Sequence, residues 1–453
     1  MRIHFIAIGG AVMHNLAITL KGQGHSVTGS DDKIVDPALR SLQNEGLMPE
    51  EIGFFPEKIS PDIEAVILGM HARVDNPELL RAQELGIAIY SFPHFLYEVS
   101  RNKTRVVIAG SHGKTTITAM VMHVLKESGY DFDYVVGAKV PGFDTGVRLS
   151  DQAPIIVLEG DEYLASPIHR ESKFMFYKPQ LVLISGIAWD HINVFPEYAG
   201  YVHQFRKLVQ DVQPGGYITA YAGDETLQMV LGEGVPPGVE YEPYQTLPSR
   251  IADGQTMLLA EGREWPLAIF GEHNVQNISG AFHICRRLQV SSADFFAAIS
   301  RFTGAANRLQ FMGRSERAVI YKDFAHSPSK VSATVLAVRH QFANKRMVAV
   351  LELHTFSSLN PEFMKQYRGS LSQADVPVVF YDADSFQQKQ MPLPDPEQVL
   401  YAFGDTRIHV ITGAPALLQF LKKENWQGDV LLLMSSGHFA GLDLTTCFAS
   451  VLH

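Results

Sequence analysis

The sequence predicts an α/β protein of three domains, each a mainly parallel sheet with flanking helices. Apolar runs alternate with helix-period stretches along the chain, the rhythm of strands joined by helical crossovers. At 453 residues the chain exceeds the size at which a single core keeps growing. Two breaks, "SRNKT" (100–104) and "FTGAANRLQFMGRSERAVIYKDFAHSPSK" (302–330), divide it into 1–102, 103–312 and 313–453.

In the first division "IHFIAIGG" (3–10) reads as a strand running into glycines, followed by a helix to about Lys21. "HSVTGSD" (25–31), "AVILGM" (65–70) and "IAIYSF" (87–92) supply further strands. The second division opens with "RVVIAG" and continues through "PIIVLEGDE" (154–162), "LVLISGIAWDH" (181–191) and "GYITAYAGDE" (216–225). Residues 235–270, richer in Pro and Gly, read as short strands and turns, and "NVQNISGAFHICRRL" (274–288) as a helix. The third division alternates again through "MVAVLELH", "VPVVFYDA", "IHVIT" and "DVLLLMSSGHFAGL".

A formal net charge of −10 leaves no basic surplus for neutralising a nucleic-acid backbone, so no nucleic-acid partner is expected. The cysteines Cys285 and Cys447 lie far apart without C-x-x-C spacing, which speaks against a disulfide framework or a structural zinc site and fits a reducing cytosol. The N-terminal stretch reads as strand, turn and helix rather than a signal peptide, and no apolar run reaches the roughly 18 residues of a membrane span. A soluble, cytoplasmic protein without a membrane partner is the expectation.

The strongest local signal is "RVVIAGSHGKTTITAM" (105–120). The common phosphate loop is spaced G-x-x-x-x-G-K-[ST]. Here its first glycine would fall at Ile108, and the chain offers the shorter Gly110-Ser111-His112-Gly113-Lys114-Thr115, with Thr116 following. Backbone amides at a helix N-terminus would face an anion, Lys114 would bring a point charge to the β- and γ-phosphates, and the Thr115 hydroxyl would reach magnesium. A glycine turn holding a lysine by chance is the alternative, weakened by the whole G-x-x-G-K-T-T following a β-branched strand. Glu159 ends the next apolar strand and could hold the same magnesium, with Asp161 and Glu162 close behind; a helix N-terminal charge is the plainer role for one of these acids. Asp190-His191 follow another strand, where a metal or substrate role competes with a structural one.

Two further clusters are polar in an ordered way. "GEHNVQNISGA" places His273, Asn274 and Asn277 at a helix start, and the i, i+3 pair of amides suits an adenine edge; Asn274 would serve equally as an N-cap. "GAANRLQ" carries Arg308, and "YKDFAHSPSK" carries Asp323, His326 and Lys330. Arg308 and Asp323 could approach a nucleotide from either side of a hinge, or form an interdomain salt bridge.

Taken in order, G-x-x-G-K-T-T, E-G-D-E, D-H, G-x-H-N-x-x-N, N-R and D-x-A-H-x-P resemble the Mur ligase family, the ATP-dependent amino-acid and peptide ligases of peptidoglycan precursor synthesis. The resemblance spans essentially the whole chain. It implies a Rossmann-like N-terminal domain that binds a UDP-sugar, a P-loop ATPase-like central domain and a Rossmann-like C-terminal domain that presents the amine. It also implies ATP and Mg2+: Lys114 and its loop on the phosphates, Thr115 and Glu159 on a first magnesium, and His191 helping to place a second. Asn274 would bind adenine beside His273 and Asn277, and Arg308 and Asp323 would close on the nucleotide. Some members carry a carbamylated lysine after D-H; the nearest here, Lys207, is left outside the site because the subgroup resembled lacks that modification.

"HFIAIGGAVMHNLA" resembles the family's glycine-rich UDP-sugar motif with Ala7 and Val12 in place of two glycines, leaving Gly10, Ser30 and Asp31 as candidate contacts. His326, His354 and His438 are the candidate contacts to the other substrate. "EGDEYLASPIHRESKF", with Asp161-Glu162-Tyr163 and Lys173, and "MSSGHFAGL" resemble members that return the tripeptide L-alanyl-γ-D-glutamyl-meso-diaminopimelate to UDP-N-acetylmuramate in peptidoglycan recycling. The alternative is members that add L-alanine to the same acceptor of the amine. A monomer or weak homodimer is expected. Three rivals weigh less: a folylpolyglutamate synthase, which normally lacks the first division; a nicotinamide oxidoreductase, for which "IAIGGAV" is a poor G-x-G-x-x-G; and an idle UDP-sugar-binding regulator, which would not need Lys114, Glu159 and His191 together.

Overall fold

The computed structural model describes residues 1–189, 194–252 and 254–452. The protein is mixed α/β with parallel-dominated sheets in three domains, as the strand–helix rhythm predicts, and it gathers into two compact units.

The first unit comprises Met1–Trp189, Glu197–Gln245 and Ile278–Ile299. Strands β1 (Arg2–Ile6), β2 (Ser26–Ser30), β3 (Ala65–Leu68) and β4 (Ala88–Ser91) form a parallel sheet of order β2-β1-β3-β4. Inner strand β3 (AVIL) is wholly apolar and buried, and β1 is buried from Ile3 to Ile6 with its His4 bonded to Glu78 and Thr28, the pattern of a buried parallel sheet rather than of alternation.

Strands β5 (Thr104–Ala109), β6 (Asp133–Val135), β7 (Val147–Arg148), β8 (Ile155–Glu159), β9 (Leu181–Ile184), β10 (Tyr217–Tyr221) and β11 (Glu240–Tyr244) build the central sheet, ordered β11-β10-β9-β5-β8-β6-β7. Only β7 runs antiparallel to its neighbour. β5 lies between β9 and β8, so the chain leaving its carboxyl end stands at a crossover of strand order, where open α/β sheets bind ligands. A buried ion pair steadies the entry to this sheet: Lys103 Nζ lies 2.8 Å from Asp133 Oδ2, with side chains 7% and 0% exposed. Lys103 also donates to the Ala153 carbonyl at 2.9 Å, so its charge is both paired and hydrogen-bonded, as burial requires.

The second unit contains Thr246–Asn277 and the chain from Ser300 onward. β12 (Ser249–Ala252), β13 (Gln255–Ala260) and β14 (Arg263–Pro266) make a small antiparallel sheet, the short strands expected from the Pro/Gly-rich stretch. β15 (Gln310–Arg314), β16 (Ala318–Asp323), β17 (Met347–Glu352), β18 (Val376–Tyr381), β19 (His409–Thr412) and β20 (Asp429–Met434) form a sheet ordered β15-β16-β20-β17-β18-β19, parallel except for β15. Strand alternation sorts β17 between two cores: Met347, Ala349 and Leu351 pack with Val331, Val335 and Val338 of helix Pro328–Gln341, while Val348 and Val350 face Leu417 and Leu421 of helix Ala414–Lys423. β16, β20 and β17 are neighbours, so Asp323, Ser435 and Glu352 stand at or just past the same carboxyl edge. Among the described residues no helix is long and apolar enough to cross a membrane.

Candidate active site

In the first unit the compressed glycine loop joins β5 to helix Lys114–Glu127. Gly110 has φ +123°, and a Cβ there would lie 2.8 Å from the Ser185 nitrogen, so the turn admits no side chain. Gly113 precedes the helix with φ +73°. The loop therefore aims the free N–H groups of a 14-residue helix at one point, a built-in anion site.

Lys114, the first helical residue, lies back along the loop. Its Nζ donates to the Gly110 carbonyl at 2.9 Å and to Glu162 Oε2 at 2.7 Å. Burial works against the Lys114 charge, but Glu162, Asp161 and Glu159 outweigh it and hold the ammonium pKa above the ordinary lysine value. The Thr115 hydroxyl donates to Glu159 Oε1 at 2.5 Å, and the Gly137 N–H to Glu159 Oε2 at 2.7 Å. Burial, then the neighbouring charge of Asp161, pushes the Glu159 carboxyl above its usual range, against the Thr115 and Gly137 hydrogen bonds. Ser111 Oγ lies 2.7 Å from Tyr201 Oη and accepts from the Ala188 N–H at 2.8 Å. His112 and Thr116 sit in the same turn, with Thr116 buried. Lys173 does reach the acidic run, 3.1 Å from both Asp161 Oδ2 and Tyr163 Oη. Lys207 instead pairs with Glu171 at 3.3 Å, away from these groups. Asp190 and His191 lie outside the described residues.

At the edge of the first sheet, Asp31 accepts from the Gly9 N–H at 2.7 Å and the Lys33 N–H at 3.3 Å. Burial raises its carboxyl pKa despite those bonds. The Ser30 carbonyl accepts from Ala7 and Ile8, and its hydroxyl from Lys58 at 3.2 Å. Ala7 has φ +66°, so the turn keeps the left-handed conformation a glycine would give, at a cost of about 1–2 kcal/mol for a residue with a Cβ. The Gly10 carbonyl accepts from the His14 ring at 2.8 Å, and Asn15 donates to the other ring nitrogen at 3.1 Å. Burial lowers the His14 pKa, which suits this one-donor, one-acceptor imidazole.

In the second unit, Asp323 ends β16 and works first as an anchor. Its Oδ2 accepts from the Leu309 N–H at 2.5 Å, and its Oδ1 from Ala325 N–H at 2.7 Å and the Thr334 hydroxyl at 3.3 Å. Asn307 and Leu309 both have positive φ, 57° and 44°, so Asp323 holds a strained loop that carries Arg308 between them. The Arg308 guanidinium lies 4.5 Å over the Phe324 ring, which meets His326 edge-on at 5.3 Å. His273 is neutral in tendency: burial lowers its pKa more than the charges of Asp323 and Glu272 raise it. Asn274 donates to the Phe270 carbonyl at 2.8 Å, and both Asn274 and Asn277 are buried. Replacing Asp323 with Ala leaves two buried N–H groups without their acceptor. It is expected to destabilise the protein by roughly 2–4 kcal/mol in chemical denaturation; an unchanged unfolding midpoint would contradict the anchoring role.

Farther along the same edge, Glu352 is 2% exposed and accepts from the Ser435 hydroxyl and, at 2.9 Å, from the Phe439 N–H. A Cβ on Gly437 would lie 2.9 Å from the His354 ring and 3.0 Å from Glu352, so glycine lets the loop pass between them. His354 is half-buried and His438 exposed at this rim. Burial, with Lys389 and His438, lowers the His354 pKa against the pull of Glu352.

Three family profiles match the chain: "Mur ligase family, catalytic domain" over residues 2–104, "Mur ligase middle domain" over 108–285 and "Mur ligase, glutamate ligase domain" over 307–437. The chain belongs to the Mur ligase family. It is thereby an ATP-dependent amide-forming ligase. A relative in Escherichia coli, UDP-N-acetylmuramate–L-alanyl-gamma-D-glutamyl-meso-2,6-diaminoheptandioate ligase, is 28% identical, covering 98% of this chain and 96% of the relative. UDP-N-acetylmuramate–L-alanine ligase of Sulfurihydrogenibium is likewise 28% identical with the same coverage. Among solved structures, a murein peptide ligase from Psychrobacter arcticus superposes with TM-score 0.70 at 22% identity, covering 99% of this chain and 98% of the other. The UDP-N-acetylmuramate–alanine ligase of Thermotoga maritima gives 0.73 at 20%, covering 100% and 98%.

Within this Mur ligase, the motif residues at the ends of β5 and β8 meet at one point. What the sequence did not single out are Tyr201, Phe324 and Glu352. Each is an ordinary aromatic or strand-end residue locally, and its role depends on contacts far along the chain.

Proposed function

We propose that this Mur ligase joins the carboxylate of UDP-N-acetylmuramate to the amine of L-alanyl-γ-D-glutamyl-meso-diaminopimelate, with ATP and magnesium, through an acyl phosphate. The observation that carries the reading is the meeting of Lys114, Thr115 and Glu159 at the mouth of the central sheet. Thr115 and Glu159 are hard oxygen donors, the kind magnesium prefers. Magnesium, when bound there, supplies charge neutralisation for the transferring phosphoryl group.

The chain's own residues do the rest. The loop amides and the helix N-terminus cradle the phosphates, and Lys114 stabilises the charge spreading over the γ-phosphoryl oxygens as the sugar carboxylate attacks. Gly10, Ser30 and Asp31 are the proposed sugar-nucleotide contacts. Asn274, His273 and Asn277 are assigned to adenine, with Arg308 and Asp323 on the nucleotide. The free amine then attacks the carbonyl carbon of the acyl phosphate, and the tetrahedral intermediate collapses to the amide with loss of inorganic phosphate and a proton. In the second unit the half-buried His354 and the exposed His438 favour a polar peptide over a small amine. L-Alanine is the second reading, because relatives of both kinds match equally well.

The acyl phosphate makes a direct prediction. With UDP-N-acetylmuramate labelled by oxygen-18 in its carboxylate, one label is expected in the released phosphate for each amide formed. Unlabelled phosphate accompanied by labelled AMP would show adenylate chemistry instead.

A further inference from the structure

The charged groups around the glycine loop are already paired with one another. Lys114 Nζ sits 2.7 Å from Glu162 Oε2, the side chains 13% and 1% exposed. Lys173 sits 3.1 Å from Asp161, the side chains 7% and 19% exposed, with its ammonium also 4.3 Å over the Tyr163 ring. Glu159, by contrast, is held only by the Thr115 hydroxyl and the Gly137 N–H among the described residues. The lysines and carboxylates thus sum to two positive charges against three negative ones.

Glu162 is also held from behind. Tyr201 Oη donates to its Oε1 at 3.3 Å and lies 2.7 Å from Ser111 Oγ in the loop, while the Ser172 hydroxyl donates to its backbone carbonyl. Its carboxylate is fixed to the loop as firmly as the lysine it faces. A metal-free polyphosphate entering here meets net negative charge and must draw Lys114 away from a buried partner, and breaking a buried pair from one side is costly. A magnesium complex brings less negative charge and offers a cation to the unpaired Glu159.

We propose that Glu162 is a positioning residue that reserves Lys114 in the empty site, so that nucleotide enters well only as its magnesium complex. Glu162 acts through Lys114 and touches no substrate. The inference rests on the reading of the loop as the nucleotide-phosphate site.

The test is equilibrium binding of ADP to the full-length protein, once with excess EDTA and once with excess magnesium. In the native protein magnesium is expected to tighten binding by at least about tenfold. Glu162→Gln keeps the shape and removes the charge; metal-free ADP should then bind about tenfold more tightly and the magnesium effect should shrink. Glu162→Asp, which keeps the charge but withdraws it, should shift binding the same way by less, and it carries the test if the glutamine variant does not fold. Unchanged or weaker metal-free binding in these variants overturns the proposal, as does native binding indifferent to magnesium. Lys114→Ala separates the two levels. If it abolishes tight binding while the Glu162 variants change nothing, the loop reading stands and this inference fails. If it binds like the native protein, the loop reading itself fails.

Discussion

Lys114→Ala is expected to lower the rate of ligation by roughly a thousandfold or more, about 4 kcal/mol of barrier, with the fold retained. The lysine is the first residue of its helix and its ammonium lies against the loop carbonyl of Gly110, so it stands where the helix N-terminus gathers negative charge. Phosphoryl transfer leaves little covalent work to the protein and depends on charge placed in advance, so losing this charge falls on the rate. The substitution also strips the buried Glu162 of its cation. Tyr201 still donates to that carboxylate, which limits the structural damage to a moderate fall in melting temperature. UDP-N-acetylmuramate binding, assigned to the first sheet, should survive. Turnover near the native rate would contradict the assignment.

Glu159→Gln should raise the magnesium needed for half-maximal rate and lower the rate at least about tenfold, 1.4 kcal/mol or more. The glutamine can still meet the Gly137 N–H, but it can no longer offer a charged oxygen beside the Thr115 hydroxyl. The native carboxylate is half-buried near Asp161 and in no ion pair with a lysine, so it gains more from a cation than its neighbours do. A magnesium titration separates the roles: a metal site shifts the midpoint, whereas a purely structural carboxylate lowers the rate at every concentration alike. An unshifted midpoint would remove Glu159 from the metal site. The parallel expectation for His191 concerns a position outside the described residues.

Sequence and structure agree where the physics is local. "RVVIA", "IIVLE" and "LVLI" are continuous apolar runs because both sheet faces are covered, and each is a strand of the central sheet. The glycine loop is legible because Gly110, at φ +123° and packed against Ser185, admits no side chain, and Gly113 sits in the left-handed region that favours glycine. The apparent defect at Ala7 proves milder than the missing glycine implies, since alanine adopts φ +66° and the turn persists. Roles that arise from distant contacts left no trace in the sequence. Nothing in "YAGYVHQFRKLV" marks Tyr201 as the partner of Ser111, and nothing in "YKDFAH" says that Phe324 lies beneath Arg308. Nor does the sequence show that Asp323, proposed as a nucleotide contact, also anchors the Arg308 loop through Leu309, Ala325 and Thr334.

The central claim, a ligase that activates UDP-N-acetylmuramate for a peptide amine, is tested most directly by comparing two acceptors with ATP, magnesium and UDP-N-acetylmuramate held constant. Free L-alanine needs a small pocket, whereas the tripeptide must be held along an extended polar chain. The rim beside Glu352 presents the half-buried His354 and the exposed His438 to such a chain, while Thr355 and Ser358 spend their hydroxyls in capping their own short helix. A few such contacts at about 1–1.5 kcal/mol each amount to a preference of roughly a hundredfold or more. The specificity constant for L-alanyl-γ-D-glutamyl-meso-diaminopimelate should therefore exceed that for L-alanine by at least that factor. Robust turnover of L-alanine with none of the tripeptide would contradict the account.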